Sequence, residues 1–153
     1  MSDDSLIASK YCRDYLQSPV DDLYSFYYTM QWAAVFHNQE FAAKDKDIPF
    51  ELKILREKLL GTQSNRSFAT TQITAPSSLT PLEYGLVLTQ CQPLLRAWNL
   101  KLQGLKEDWK KCHSKLWGQA TKAEIYKHLF STFAIRGVAI LGDLVHKHAK
   151  DMD

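Results

Sequence analysis

Histidine and cysteine are the side chains through which this chain could bind a metal ion or act as a nucleophile. The sequence contains His37, His113, His128, His146 and His148, and the cysteines Cys12, Cys91 and Cys112. Zinc needs three or four ligands that converge on one point. The closest histidines, His146 and His148, are two positions apart and point to different sides of a helix. We therefore expect no metal site and no cofactor.

Short catalytic motifs are also missing from the sequence. It contains no GxSxG nucleophile elbow, no GxxxxGK[ST] phosphate loop and no GxGxxG turn. The cysteines fall at apolar positions of predicted helices, where a free thiol behaves as a small hydrophobic group. Paired carboxylates such as Asp21 and Asp22 occur at predicted helix starts, where the helix dipole accounts for them. The sequence therefore predicts a protein that is not an enzyme.

Aromatic residues are concentrated in the stretch YSFYYTMQWAAVFHNQEF, residues 24–41. Aromatic side chains spaced four apart lie on one side of a helix and are typical either of core packing or of a surface that binds a protein partner. Core packing is the favoured interpretation. The candidates for partner binding, taken with two tryptophans further along the chain, are Tyr24, Tyr28, Trp32, Phe36, Trp98 and Trp109. Base stacking is disfavoured, because residues 14–43 contain no Lys or Arg to hold phosphates.

Basic residues are more frequent in the second half of the chain. Residues 76–153 contain eleven Lys and Arg against seven Asp and Glu, a net charge of +4. The candidates for phosphate contact are Arg66, Lys106, Lys110, Lys111 and Lys115. On a helical wheel these lysines scatter around the surface among Glu107 and Asp108, which favours a solvated, charge-paired face. Nucleic-acid binding is the alternative, and it would position the polymer without reading its sequence.

Composition places the chain among ordinary globular proteins. It has 153 residues, a net charge of +2 and 45% hydrophobic residues, which predicts one domain over residues 1–153. An odd number of cysteines without motif spacing favours a reducing, intracellular compartment such as the cytoplasm. The acidic start does not resemble a signal peptide. The most apolar run contains Arg136 and Asp143, so we expect a buried helix and no membrane span.

Helix-start signals divide the chain into five predicted helices. Ser18 precedes Pro19, Thr80 precedes Pro81, and Thr121 lies three residues before Glu124, all of which are typical of helix N-termini. The predicted helices cover residues 4–17, 19–44, 48–61, 81–117 and 121–150. Residues 62–80, rich in Ser, Thr, Gln and Asn, are predicted as a long polar loop that could be flexible, with an extended piece at ATTQIT. The expected fold is an all-α helical bundle.

The helix predicted at residues 81–117 carries the most regular pattern. Its apolar positions alternate in spacing between four and three residues, in the order Tyr84, Leu88, Cys91, Leu95, Trp98, Leu102, Leu105, Trp109, Cys112 and Leu116. Such a heptad series predicts one long helix packed along a seam. Pro93 should kink this helix, but the series keeps its phase across the proline, so we expect a continuous helix.

These features favour a protein that works by contact with other macromolecules. We expect a protein–protein interaction module, such as an adaptor, a chaperone-like factor or a subunit of a larger assembly, acting through apolar helix surfaces. Its partner would be another protein or a second copy of the chain. The alternative is a small helical nucleic-acid-binding subunit of a nucleoprotein complex. Fold alone does not decide between them.

Overall fold

The computed structural model describes residues 18–41, 47–116 and 122–152, and these residues form helices joined by turns and short connections. The helices are α1 (Pro19–Val35), α2 (Phe50–Leu60), α3 (Gln63–Thr74), α4 (Pro81–Tyr84), α5 (Leu86–Leu116) and α6 (Lys122–Met152). No strand occurs in this part of the chain. The predicted all-α helical bundle is confirmed.

Two of the predicted helices correspond closely to observed ones. The helix predicted at residues 48–61 corresponds to α2 (Phe50–Leu60) and the helix predicted at 121–150 corresponds to α6 (Lys122–Met152), while the helix predicted at 4–17 and the cap expected at Thr121 lie outside the described residues.

The start of α1 also agrees with the sequence, since Pro19 lies in its first turn. The Ser18 hydroxyl accepts a hydrogen bond from the Asp21 N–H (3.3 Å), and the Asp21 carboxylate accepts one from the Ser18 N–H (3.1 Å). This reciprocal pair is a capping box that satisfies two backbone donors.

The loop predicted at residues 62–80 is wrong for most of its length, because residues 63–74 form α3. Thr62 caps this helix by accepting a hydrogen bond from the Asn65 N–H (3.3 Å). Ala69 and Ile73, four residues apart, are buried, and α3 packs against α2. The polar composition predicts a loop, but two apolar side chains four residues apart are enough for a helix when packing against a neighbouring helix stabilises it.

Within the described residues 81–116, the helix predicted at 81–117 is interrupted at Gly85, which separates α4 from α5. Gly85 has a backbone φ of 80°, a left-handed conformation that favours glycine. The Glu40 carboxylate accepts hydrogen bonds from the backbone N–H groups of Leu86 and Val87 and so caps α5. A Cβ atom on residue 85 would lie 2.8 Å from Glu40 Oε1. Thr80 lies at the start of α4, as its place before Pro81 predicts, but its side chain makes no capping hydrogen bond.

Beyond Gly85 the long helix is continuous. α5 runs from Leu86 to Leu116 with Pro93 inside it, which confirms the prediction of one helix across the proline. The leucine and tryptophan positions of the heptad series between residues 88 and 109 are all buried. Cys91 and Cys112, which occupy the same series, are only partly buried.

Contacts divide the chain into two compact units, each of which is described by itself. Unit 1 contains residues 1–27 and 98–153, and unit 2 contains residues 28–97. The boundaries fall inside α1 and α5. A single domain over the whole chain stays a prediction.

Aromatic side chains build the core of unit 1. Tyr27 packs edge-to-face on Trp98, with ring centroids 5.6 Å apart, and Trp109 packs edge-to-face on Phe133 at 5.3 Å. The leucines of the α5 heptad series in this unit, Leu102 and Leu105, are buried as well.

Glycine brings α6 close to α1 in the same unit. Gly137 is buried, and a Cβ atom built on it would overlap the Cδ1 atom of Leu23. Leu23 is itself buried and has little room to move. The absence of a side chain at residue 137 therefore creates the notch that the Leu23 side chain fills.

A buried glutamine organises unit 2. Gln92 of α5 accepts a hydrogen bond from the Leu79 N–H (2.8 Å) through its carbonyl oxygen. Its amide nitrogen donates to the carbonyls of Ile73 and Ser77 (both 3.0 Å). These bonds attach the connection after α3 to α5. Each partner is a backbone group, so the Gln92 side chain supplies hydrogen bonds that these groups would otherwise lack.

Gln92→Ala tests this role. We expect the free energy of unfolding to fall by about 2–4 kcal/mol, because the buried Leu79 N–H and the Ile73 carbonyl lose this partner, while the Ser77 carbonyl keeps the Arg96 guanidinium. Urea unfolding followed by circular dichroism measures the change. Gln90→Ala is the matched control, since Gln90 is exposed on the same helix. Equal effects of the two substitutions would contradict the assignment.

Two glycines of α6 provide a second test. Gly137→Ala should destabilise the protein by about 1–3 kcal/mol, because overpacking against Leu23 exceeds the gain in helix propensity. Gly142→Ala should stabilise it by up to about 1 kcal/mol, since nothing lies within 4 Å of a Cβ atom there. Thermal unfolding of the two variants compares them directly, and a stabilising Gly137→Ala would show that the helices do not meet at this notch.

Candidate interaction surface

The six candidate partner-binding residues separate into a buried and an accessible set. Tyr24, Trp98 and Trp109 are buried and contribute to the core of unit 1. Tyr28 and Trp32 are exposed, at 40% and 45%, and Phe36 is half-buried. The second set lies in unit 2, in and just beyond the last turns of α1.

Helix geometry explains why the aromatic stripe divides. Each step of four residues turns the chain about 400°, so a stripe with constant spacing of four drifts by about 40° per step around the helix. Tyr24 therefore lies on the buried side, and Trp32 has rotated out of it. The buried side follows the alternating spacing of residues 24, 27, 31 and 34 instead. That alternation, present in the sequence, was the signal for the core side of α1.

A series of side-chain contacts restrains the Trp32 ring. Its ring stacks on Phe36, with centroids 4.1 Å apart and planes inclined by 25°. The Arg56 guanidinium lies over the Phe36 ring, 5.4 Å from its centroid. Its Nε donates to the Val35 carbonyl (2.8 Å) and its Nη2 to the His37 carbonyl (3.1 Å). We call Tyr28, Trp32, Phe36 and Arg56 the α1 aromatic surface.

Arg56 also explains where α1 ends. The sequence predicts a helix to residue 44, but α1 ends at Val35 and residues 36–41 form a turn; residues 42–44 lie outside the described part of the chain. A cation at a helix C-terminus satisfies unpaired carbonyls and complements the helix dipole. Arg56 belongs to α2, so no local sequence pattern near residue 35 predicts this cap. Sequence reasoning missed Arg56 for that reason.

The α1 aromatic surface lies in a stretch of the chain without formal charge. Between Asp22 and Glu40 the sequence contains no Asp, Glu, Lys or Arg. The buried centres of protein interfaces are depleted in charged residues and enriched in aromatic ones. The α1 aromatic surface has both properties, apart from the Arg56 guanidinium behind its stack.

The residues proposed for phosphate contact are spread over both units, and some already have partners. Lys110 lies 3.6 Å from the Glu107 carboxylate, and Lys106 lies over the Tyr24 ring, 5.4 Å from its centroid. Lys111 is exposed on α5, and Arg66 is exposed on α3 in unit 2. The Lys115 side chain lies outside the described residues. Nucleic-acid binding stays an alternative prediction.

Burial shifts the pKa values of two side chains in the part of the chain that the structure describes. Burial raises the pKa of the Cys91 thiol, which disfavours the reactive thiolate. Desolvation lowers the pKa of His113, whose ring stacks against Trp109 with centroids 6.2 Å apart. Among the residues that the structure describes, no three His, Cys, Asp or Glu side chains come together as metal ligands. That the protein is not an enzyme stays a prediction.

α6 is less buried than the sequence suggests. The most apolar 18-residue window within Lys127–Asp151 has a mean hydropathy of 1.4, so this helix is long and apolar enough to cross a membrane, although core helices and signal sequences meet the same criteria. Only 22% of the most apolar window is buried, so the expected buried helix is wrong. Leu129, Phe133 and Leu144 are buried, while Ile135, Val138 and Val145 are exposed. The absence of a membrane span stays a prediction.

Comparison with known proteins identifies no relative. No protein-family model matches the sequence, and no curated protein or solved structure matches the chain.

The contacts of Arg56 can be tested by substitution. Arg56→Met should lower the free energy of unfolding by about 1.5–3 kcal/mol, because two hydrogen bonds from a charged group to carbonyls are lost. It should also shift the indole N–H resonance of Trp32 in an NMR spectrum, since Phe36 loses the guanidinium above it. Lys53→Met, one turn earlier on α2, is the control. An unchanged Trp32 resonance in Arg56→Met would show that the guanidinium does not influence the aromatic stack.

Proposed function

We propose that this protein is a non-enzymatic protein–protein interaction module, an adaptor, chaperone-like factor or subunit of a larger assembly, that binds its partner through the α1 aromatic surface. The observation that carries the proposal is the exposed Trp32 ring, stacked on Phe36 and backed by Arg56. A reducing intracellular compartment is the expected location, and the partner is another protein or a second copy of the chain.

Burial energy is the first argument for a partner. A tryptophan ring that is 45% exposed leaves a large apolar area in water, and burying such area is favourable by roughly 25 cal/mol per Å². Tryptophan, tyrosine and arginine are the side chains that most often dominate the free energy of protein association. Trp32, Tyr28 and Arg56 supply all three within one surface.

Preorganisation is the second argument. Ordering a free side chain at an interface costs about 0.5–1.5 kcal/mol. The stack on Phe36 and the hydrogen bonds of Arg56 already restrict these side chains in the unbound chain. More of the burial energy is then available for affinity.

Protein is favoured over nucleic acid as the partner of this surface. An exposed tryptophan can stack on a base, but stacking platforms combine aromatic rings with cations that hold the phosphates. Residues 23–39 contain no Lys or Arg. The Arg56 guanidinium beside the stack donates to two carbonyls of the chain itself.

Trp32→Ala tests the proposal against Phe68→Ala. The complex is first captured from the protein's own cells and its partner identified by native mass spectrometry, and affinities are then measured by calorimetry. Trp32→Ala should weaken binding by at least about 30-fold, equivalent to about 2 kcal/mol, with the fold retained. Phe68 is a suitable control because it is an exposed aromatic of the same unit with the Lys58 ammonium over its ring.

Three results would contradict the proposal. A chain captured as a bare monomer would show that it has no stable partner. Equal losses of affinity in the two alanine variants would show that the α1 aromatic surface is not part of the interface. A complex that depends on nuclease-sensitive nucleic acid, with affinity falling steeply as salt rises, would favour the nucleic-acid alternative.

A further inference from the structure

Three hydroxyl side chains are exposed between α3 and α4, in residues 75–80, which we call the α3–α4 connection. Ser77, Ser78 and Thr80 lie there outside the helices, and their hydroxyl groups make no hydrogen bond among the described residues. Threonine hydroxyls elsewhere in unit 2 are hydrogen-bonded within the chain, at Thr62, Thr70, Thr71, Thr74 and Thr89. The three exposed hydroxyls are therefore accessible to an enzyme that modifies side chains.

The backbone of the α3–α4 connection is fixed although these side chains are in water. The Gln92 side chain binds the Leu79 N–H and the Ser77 carbonyl. Leu79 is buried, and Pro76 has no N–H with which to continue a helix. A protein kinase places the acceptor hydroxyl in line with the γ-phosphate of its nucleotide, which favours acceptors on exposed, non-helical segments. The α3–α4 connection has both properties.

A cation without a carboxylate partner lies next to this connection. Arg96 of α5 is partly buried, and its Nη2 donates a long hydrogen bond to the Ser77 carbonyl (3.4 Å). Its Nε is buried and has no hydrogen-bond partner, and Arg96 forms no ion pair among the described residues. Buried charges are normally paired, because their removal from water is costly. The Arg96 guanidinium therefore has donors left for an anion.

The sequence on both sides of this contact supplies no anion. No Asp or Glu occurs in residues 58–82, and none occurs in α5 before Glu107. Glu83, the first acidic residue after the connection, is exposed on α4. A phosphoryl group on Ser77 or Ser78 would be attached within one residue of the carbonyl that Arg96 contacts. The anion for Arg96 would then come from the chain itself, after modification.

We propose that Ser77 and Ser78 are a phosphoacceptor pair and that Arg96 binds the phosphate carried by one of them. A protein kinase supplies the group from a nucleoside triphosphate. The serine Oγ forms a bond to the γ-phosphorus, the bond from that phosphorus to the bridging oxygen breaks, the nucleoside diphosphate leaves, and the hydroxyl proton passes to the base of the kinase. The proposal shares no residue with the α1 aromatic surface, so each can fail without the other.

The phosphate would attach the connection more firmly to α5. It brings about two negative charges and three acceptor oxygens. Its charge-assisted hydrogen bonds to a guanidinium are shorter and stronger than the long bond that Arg96 makes to the Ser77 carbonyl. The modification therefore acts in the same direction as the Gln92 hydrogen bonds, and a kinase and a phosphatase would control it.

Thr80 is the competing acceptor in this connection. Pro81 follows it, and its backbone is extended, with φ −105° and ψ 143°. Thr80 is less favoured because it lies further along the chain from the Ser77 carbonyl, where the Arg96 guanidinium is placed.

Phosphopeptide mass spectrometry tests whether the site is used. The full chain is purified from its own cells in the presence of phosphatase inhibitors. We expect a phosphoryl group on Ser77 or Ser78, and its loss when Ser77→Ala and Ser78→Ala are combined. A chain with no phosphate on either serine, or with phosphate on Thr80 alone, would overturn the proposal.

Thermal unfolding tests whether Arg96 holds the phosphate. Phosphoserine is encoded genetically at the serine that the cells modify, and the melting temperature of the full chain is measured with and without the phosphate. We expect an increase of about 3 °C or more, because charge-assisted hydrogen bonds form. In Arg96→Met the same phosphate should give no increase. Arg66→Met, at an exposed arginine of α3, is the matched control and should keep the increase.

Each variant is compared with and without phosphate, so the effect of the substitution on stability cancels. An increase that persists in Arg96→Met would show that another group holds the phosphate. No increase in the unsubstituted chain would show that the phosphate stays in water. Either result would overturn the proposal.

Discussion

The cap that Arg56 places on the end of α1 is the contact on which the arrangement of unit 2 depends. By binding the carbonyls of Val35 and His37 it ends the helix and allows the chain to turn. The turn brings Glu40 to the start of α5, where its carboxylate satisfies two backbone N–H groups. With α5 begun in this way, Gln92 reaches the connection after α3. The Arg56, Glu40 and Gln92 side chains thus each bind backbone groups that would otherwise lack hydrogen-bond partners.

Glycine has two different effects in this protein, and both depend on the missing side chain. At Gly85 it permits a left-handed backbone conformation that separates two helices. At Gly137 it permits contact between α6 and Leu23 without overlap. Gly104 and Gly142 have neither role, since no neighbour lies near their Cβ positions. These two positions lower the helix propensity of α5 and α6 without a packing reason within the chain.

The proposed function depends on apolar area that the chain leaves in water. Trp32 in unit 2 is exposed at 45%, and Ile135 and Val138 in unit 1 are exposed at 69% and 65%. In protein interfaces, exposed aromatic side chains often fill pockets of the partner.

Local patterns in the sequence determined the helices that carry strong signals. The heptad series of α5 and the Ser18 cap of α1 are each set by neighbours along the chain, and both correspond to observed helices. Tertiary structure decided what depends on distant residues. Arg56 ended α1 early, packing on α2 made a helix of residues 63–74, and the drift of the aromatic stripe left Trp32 outside the core. Helix propensity acts over a few residues, but burial and capping depend on partners that only the folded chain brings together.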